Sequence, residues 1–293
     1  MSATIVRRVV DWYREAQRPL PWRAQGTSPW GVLVSEFMCQ QTQVDRVVPR
    51  WLEWMARWPT PSALADASPA DAIRAWDRLG YPRRARWLHA AAREIADRHA
   101  DAVPSDTESL RALTGVGEYT AAAVQAFAFG MPSVVLDTNV RRVIARAVTG
   151  EALPPPSVRT REREVAADLV AIAQADAVGG AAWSQSVMEL GALVCTSRAP
   201  ACATCPVTDA CVWVAAGRPA ADGPRRTQAR YEGSDRQARG TVLALLRDAS
   251  RAVPASHVED ALADAARRQR AITSLIADGL IVETSAGDYR LPG

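Results

Sequence analysis

The sequence predicts an all-α protein with a small winged-helix-like module at its C-terminal end. Three observations carry this. Apolar residues recur at helical spacing through most of the first 215 residues. Short Pro/Gly/Ser/Asp stretches separate those runs, as at Thr60-Pro61-Ser62 and Val103-Pro104-Ser105-Asp106. Near the end the pattern changes to three helical runs followed by two short strand-like runs.

The helical runs cover 3–17, 29–56, 69–78, 83–99, 107–113, 118–129, 138–148, 160–175 and 181–194. The longest patternless stretch among them is 150–158, with three consecutive prolines. Residues 216–236 are polar, Arg-rich and Gly/Pro-punctuated, which predicts a linker. Beyond it, 239–248, 257–265 and 267–279 read as helices. Residues 280–284 and 289–291 read as strands around a turn at Ser285-Ala286-Gly287-Asp288. Three helices and a hairpin is the order of a winged helix over 237–293. In such modules the third helix often enters the major groove. Here it starts with Arg267, Arg268 and Arg270, which serve equally as a solvated face on a structural or protein-binding module.

Composition narrows the chemistry. The chain has 293 residues, 48% of them hydrophobic, enough for a substantial core. It has no run of 18 apolar residues and no signal-peptide pattern, so a cytoplasmic protein without a membrane partner is expected. The net charge of +3 is weak evidence for nucleic acid. All 35 basic residues are arginine; with no lysine, no side-chain amine is available to form a Schiff base.

Four of the five cysteines fall close together: Cys195, Cys202, Cys205 and Cys211, in the pattern C-x6-C-x2-C-x5-C. Spacings this tight hold a metal or a cluster. Zinc and a pair of disulfides are the alternatives. Cys39, in an apolar run, is expected to be a buried bystander.

Residues 113–123 read LTGVGEYTAAA. Gly115 and Gly117 flank Val116, and a helix starts at Glu118. Glycine lets backbone approach a ligand, and a helix N-terminus offers N–H groups to an anion. Farther on, Asp137 lies between an apolar stretch and a helix, where Asp is an N-cap and stays ionised. Glu36 lies in the otherwise apolar WGVLVSEFMCQQTQV. On a continuous helix it shares a face with Gln40 and Gln43. Burial there raises its pKa toward what a general acid needs, whereas a solvent-facing Glu paired with Arg is the plain alternative.

These pieces together resemble a known family. The cysteine spacing resembles the 4Fe–4S loop of the helix-hairpin-helix base-excision DNA glycosylases, and the Gly115–Gly117 turn resembles their clamp on the DNA backbone. LPWR at 20–23, SEFMCQQTQV at 35–44, RLGYPRRARWLH at 78–89, LTGVGEYTAAAV at 113–124, LDTNVRRV at 136–143 and MELGALVC at 188–195 are similar to the adenine DNA glycosylases of the MutY type. The likeness covers about residues 5–215 in order.

The resemblance implies an iron–sulfur subdomain (1–28 with 136–215) and a six-helix subdomain (29–135). It implies a 4Fe–4S cluster on Cys195, Cys202, Cys205 and Cys211, and a duplex-DNA substrate with adenine opposite 8-oxoguanine or guanine, flipped into a pocket. Glu36 protonates adenine N7, and Asp137 stabilises the oxocarbenium-like sugar that water captures. Tyr119 lines the sugar site, Trp22, Arg23 and Glu189 surround the adenine, and Asn139 joins the substrate-binding set. Gln41 and Tyr81 wedge into the stack, and Gly115, Val116 and Gly117 hold the backbone.

Bifunctional relatives carry a lysine near position 119; tyrosine there implies a monofunctional enzyme. Two departures stand out. Gly80-Tyr81-Pro82 replaces the usual Gly-Tyr-Tyr and also occurs in thymine-from-T:G mismatch glycosylases, the alternative reading. The tail is too short for the domain that reads 8-oxoguanine in well-known members. A non-catalytic DNA-binding protein is a third reading, but it needs neither carboxylate. A nucleoid-associated cytoplasmic monomer is expected.

Overall fold

The computed structural model describes residues 2–221 and 230–293. Its helices are α1 (Ser2–Ala16), α2 (Pro29–Cys39), α3 (Val44–Arg57), α4 (Pro61–Ala65), α5 (Pro69–Trp76), α6 (Arg83–Arg98), α7 (Thr107–Ala112) and α8 (Glu118–Phe129). There follow α9 (Thr138–Ile144), α10 (Thr160–Ala175), α11 (Gly180–Leu193), α12 (Val212–Ala215), α13 (Asp235–Asp248), α14 (Ala255–Ala261) and α15 (Ala265–Ala277). A hairpin of β1 (Val282–Glu283) and β2 (Tyr289–Arg290) ends the chain. No described helix is long and apolar enough to cross a membrane.

Two compact units divide the chain. The first comprises Met1–Glu36, Ser105–Ala112 and Val116–Pro224. In it α1 turns Ile5, Val6, Val9, Val10 and Tyr13 inward, a stripe one turn apart. Ile5, Val6, Val9 and Val10 join Val143, Ile144, Leu169 and Leu190 from α9, α10 and α11 in one core, which continues to Trp213 beside the cysteines. Helix α8 is built from small residues; Ala123 and Ala126 pack with Val135, Ala181 and Met188.

The second unit comprises Phe37–Pro104, Leu113–Gly115 and Arg225–Gly293. Helix α3 buries Val47, Trp51 and Trp54 along one face. Trp54 meets Trp58 and Trp76 edge-on, with ring centroids 4.6 and 5.8 Å apart. Ser68 and Asp71 close a capping box at the start of α5, with Pro69 in its first turn. The C-terminal module follows the expected order: α13, α14, α15 and the hairpin, with Val253 forming a single antiparallel bridge to Tyr289. Val242, Leu246, Leu275 and Leu280 fill its core.

The structure departs from the sequence reading in three places. The run 29–56 is two helices broken at 40–43, where Gln41 adopts φ +56°. The buried Arg84 guanidinium explains the break: it donates to Phe37 O (2.6 Å) and Met38 O (3.0 Å), closing the carbonyl end of α2. Glu36, Gln40 and Gln43 therefore share no helix face. Helix α4, capped by Thr60, lies where only a break was read. The division into units also differs from boundaries at 28/29 and 135/136, because α7 and α8 group with the first unit and the tail with the second. Of the 216–236 linker, residues 222–229 lie outside the described residues, and α13 begins at Asp235.

Candidate active site

The site in the first unit begins with Glu36, 7% exposed on α2. Burial pushes its carboxyl up to about 7, and the neighbouring Asp137 charge pushes the same way. A hydrogen bond from the Tyr119 hydroxyl to Oε2 (3.0 Å) and the Arg23 charge act against them. Tyr119 is held here by its place in the first turn of α8.

Asp137 is the N-cap of α9 and accepts from Val140 N (2.6 Å) and Asn139 Nδ2 (2.7 Å). Burial raises its pKa, against the expectation of a simply ionised cap; those two donors and Arg142 oppose the rise. Behind it, Arg142 donates to Asn139 Oδ1 (2.8 Å), Gly191 O (2.6 Å) and Cys195 O (2.6 Å). An unbroken chain of hydrogen bonds thus runs from Asp137 to the main chain of the first clustered cysteine. Helix α11 can lie this close because position 191 is glycine. A Cβ there would stand 2.7 Å from the Asn139 Cβ and 2.8 Å from its carbonyl oxygen.

Glu189 on α11 is fully buried. Burial alone would raise it, but hydrogen bonds from Arg18 (2.7 and 2.8 Å) and Arg23 (3.0 Å) win and hold it at about 2. Arg23 also lies 5.6 Å from the Tyr13 ring centre. Its Nη1 is buried without a hydrogen-bond partner among the described residues. Trp22 stands beside Arg23 in the helical turn Pro21–Arg23. Arg18 was missed in the sequence; its only signal is a basic residue two before LPWR.

Cys195, Cys202, Cys205 and Cys211 line one cavity with Arg146 and Trp213. All four are free thiols rather than disulfides. Arg146 lies 3.5 Å from the Cys195 sulfur. Among the described residues, no three His, Cys, Asp or Glu side chains converge as one metal ion requires. Cys39 ends α2 and is half-buried rather than buried.

The remaining predicted residues lie in the second unit or at the hairpin. Gln41 and Tyr81 are exposed and left-handed (φ +56° and +46°). Gly115 has φ +82°, and a Cβ there would collide with Phe37 and Trp87. Gly117 caps α8 in an extended conformation, with Val116 buried beside it. On α15, Arg267, Arg268 and Arg270 already pair with Asp264, Glu259 and Asp235 of their own module.

The fold is that of a helix-hairpin-helix DNA glycosylase. Residues 34–167 match the HhH-GPD superfamily of base excision DNA repair proteins. The chain is 50% identical over 299 residues to the adenine DNA glycosylase of Mycobacterium tuberculosis, covering 100% of this chain and 96% of that protein. It is 37% identical over 213 residues to that of Homo sapiens, covering 69% of this chain and 38% of that one. A thermostable thymine-DNA glycosylase structure superposes with a TM-score of 0.65 at 22% identity, over 73% of this chain and 97% of that one. A trapped endonuclease III–DNA covalent intermediate gives 0.61 at 18%, over 73% and 96%; both show the fold alone. The chain belongs to the adenine DNA glycosylase family. It is a DNA repair enzyme that removes adenine.

One prediction follows from the buried acid. A carboxyl whose folded pKa is raised stabilises the fold only while protonated. That contribution is complete below the unfolded value of 4.5 and is lost as pH rises through about 7. Glu36→Gln is therefore expected to stabilise the protein at pH above about 7, by at most about 3 kcal/mol, and to do little near pH 4. Thermal unfolding of both proteins across pH checks this.

Proposed function

We propose that the protein hydrolyses the N-glycosidic bond of adenine opposite 8-oxoguanine or guanine in duplex DNA, with Glu36 as general acid. The observation that carries this is a buried carboxyl raised to about 7, with Tyr119 on one oxygen and Asp137 close enough to feel its charge. The extruded adenine takes the proton of Glu36 at N7. The C1′–N9 bond then breaks with its electron pair going to the base. Asp137 balances the cationic sugar, and water adds at C1′. Tyr119 lines the sugar side. Trp22, Arg23 and Glu189 surround the base, with Asn139 orienting Asp137. The partnerless Arg23 Nη1 supports this role, since a buried donor needs an acceptor such as a base nitrogen. Gly115, Val116 and Gly117 grip the backbone, and Gln41 and Tyr81 wedge into the stack.

Cys195, Cys202, Cys205 and Cys211 hold a 4Fe–4S cluster. The shared cavity supports this reading. A cluster bound there would order the loop whose Cys195 carbonyl Arg142 ties to Asn139. Cys202→Ser is expected to lower iron and acid-labile sulfide content and the unfolding temperature by several degrees. The folded fraction should keep its single-turnover rate within about threefold. Unchanged stability and metal content would refute the assignment.

Single-turnover base release from duplexes carrying A opposite 8-oxoguanine, A opposite G and T opposite G tests the reaction. Adenine is released from the first two, and strand scission needs alkali because no lysine attacks the sugar. Glu36→Gln should slow release by about a thousandfold with duplex binding retained. Release of thymine instead would favour the T:G reading that Gly80-Tyr81-Pro82 suggests.

A further inference from the structure

The segment Asp77–Tyr81, which joins α5 to α6, is strained and held from several sides. Asp77, Gly80 and Tyr81 all have positive φ (+46°, +82° and +46°), a conformation that costs a non-glycine residue free energy. Such a loop persists only when its surroundings over-determine it. Here each carbonyl from 77 to 80 has a donor. Gly80 O accepts from Trp76 Nε1 (3.0 Å) and Arg84 Nη2 (3.1 Å). Leu79 O accepts from the Thr42 hydroxyl (3.2 Å), and Arg78 O from Arg46. Asp77 O accepts from Arg247. The Asp77 carboxylate meanwhile receives Arg50 (2.8 Å).

Four of these five carbonyl donors come from α3, α5, α6 and the 40–43 break. The fifth, Arg247, comes from the last turn of α13 in the C-terminal module. The module is fixed beside this loop by contacts at both ends. Arg74 donates to Ala249 O (3.3 Å) near Arg247. At the far end, Arg86 donates to Asp278 O (2.7 Å), while Arg83 and Arg239 hold the Asp278 carboxylate. Gly279 leaves the space that the Arg86 guanidinium occupies. The arginines at the start of α15, by contrast, are paired within their own module.

We propose that Arg247 is a positioning residue for Tyr81: the C-terminal module braces the strained loop so that the ring is presented ready to enter the base stack. This rests on the reading of Tyr81 as a wedge. The module then contributes to lesion engagement by ordering the Asp77–Tyr81 loop of its own unit rather than by reading DNA with its own third helix.

A double-mutant cycle in the full-length protein tests it. Arg247→Met, Arg247→Lys, Tyr81→Ala and Arg247→Met/Tyr81→Ala are compared on an A:8-oxoguanine duplex, by single-turnover rate at subsaturating enzyme and by fluorescence of a 2-aminopurine beside the target adenine. Arg247→Met should lower the rate roughly tenfold and blunt the fluorescence rise on binding. It should add less than about twofold once Tyr81 is alanine. Arg247→Lys, which keeps a donor, should recover most of the loss even if Arg247→Met is less stable. If Tyr81→Ala is costly but Arg247→Met is not, or if the two losses multiply, the brace is wrong and the wedge stands. If Tyr81→Ala costs nothing, the wedge reading falls and takes the brace with it.

Discussion

The structure turns on a carboxylic acid kept out of water. Glu36 sits on a helix whose neighbours Leu33, Val34, Phe37 and Met38 are fully buried. Ionising it there is costly, so its pKa is pushed up to about 7. The compensation on hand is incomplete by construction. One phenol hydroxyl reaches one oxygen, and a second carboxylate nearby works the other way. A few side chains away, Glu189 is buried even more completely and is driven to the opposite state, because two guanidinium groups reach it. Two glutamates in similar darkness, one acid and one anion, differ only in their partners. That separation lets one site both donate a proton and carry fixed charge.

Arginine does the connecting work in this lysine-free chain. Arg142 joins Asn139, Gly191 and Cys195, and Arg84 joins the end of α2 to Thr42 and Gly80. Each spans four acceptors, which a planar guanidinium with five N–H groups can do and an ammonium with three cannot. Burial lowers the pKa of Arg84 to about 10, still far above neutrality, so it remains a cation at no risk of losing its proton. The consequence is that the two exposed loops carrying Gln41 and Tyr81 share one buried anchor.

Much of this was legible in the sequence, and the pattern of what was not is physical. The helices of the first unit follow from apolar periodicity, and Glu36, Asp137 and the four cysteines follow from residue types that are expensive in those surroundings. The break at 40–43 was hidden because Gln, Thr and Gln are all tolerated in helices. What ends α2 there is Arg84, forty-five residues away from Cys39. Arg18 and Arg142 were equally silent, since an arginine that will be buried looks like any other until its acceptors are assembled. The tail reads as three helices and a hairpin, and its arginines left two readings open, a DNA face or a solvated face; in the structure they pair within the module. The partners of Arg268 and Arg270, Glu259 and Asp235, lie on other helices, where no local pattern pairs them; only Asp264, the cap three residues before Arg267, is a local one.

The acid role of Glu36 is open to a direct check through the pH dependence of the single-turnover rate of adenine release, measured from about pH 5 to about pH 9 with enzyme saturating. The account predicts a rate that falls as pH rises through a value near 7, and Glu36→Gln removes that limb along with most of the rate. A rate that is flat across this range, or one that survives in Glu36→Gln with the same pH dependence, would contradict it.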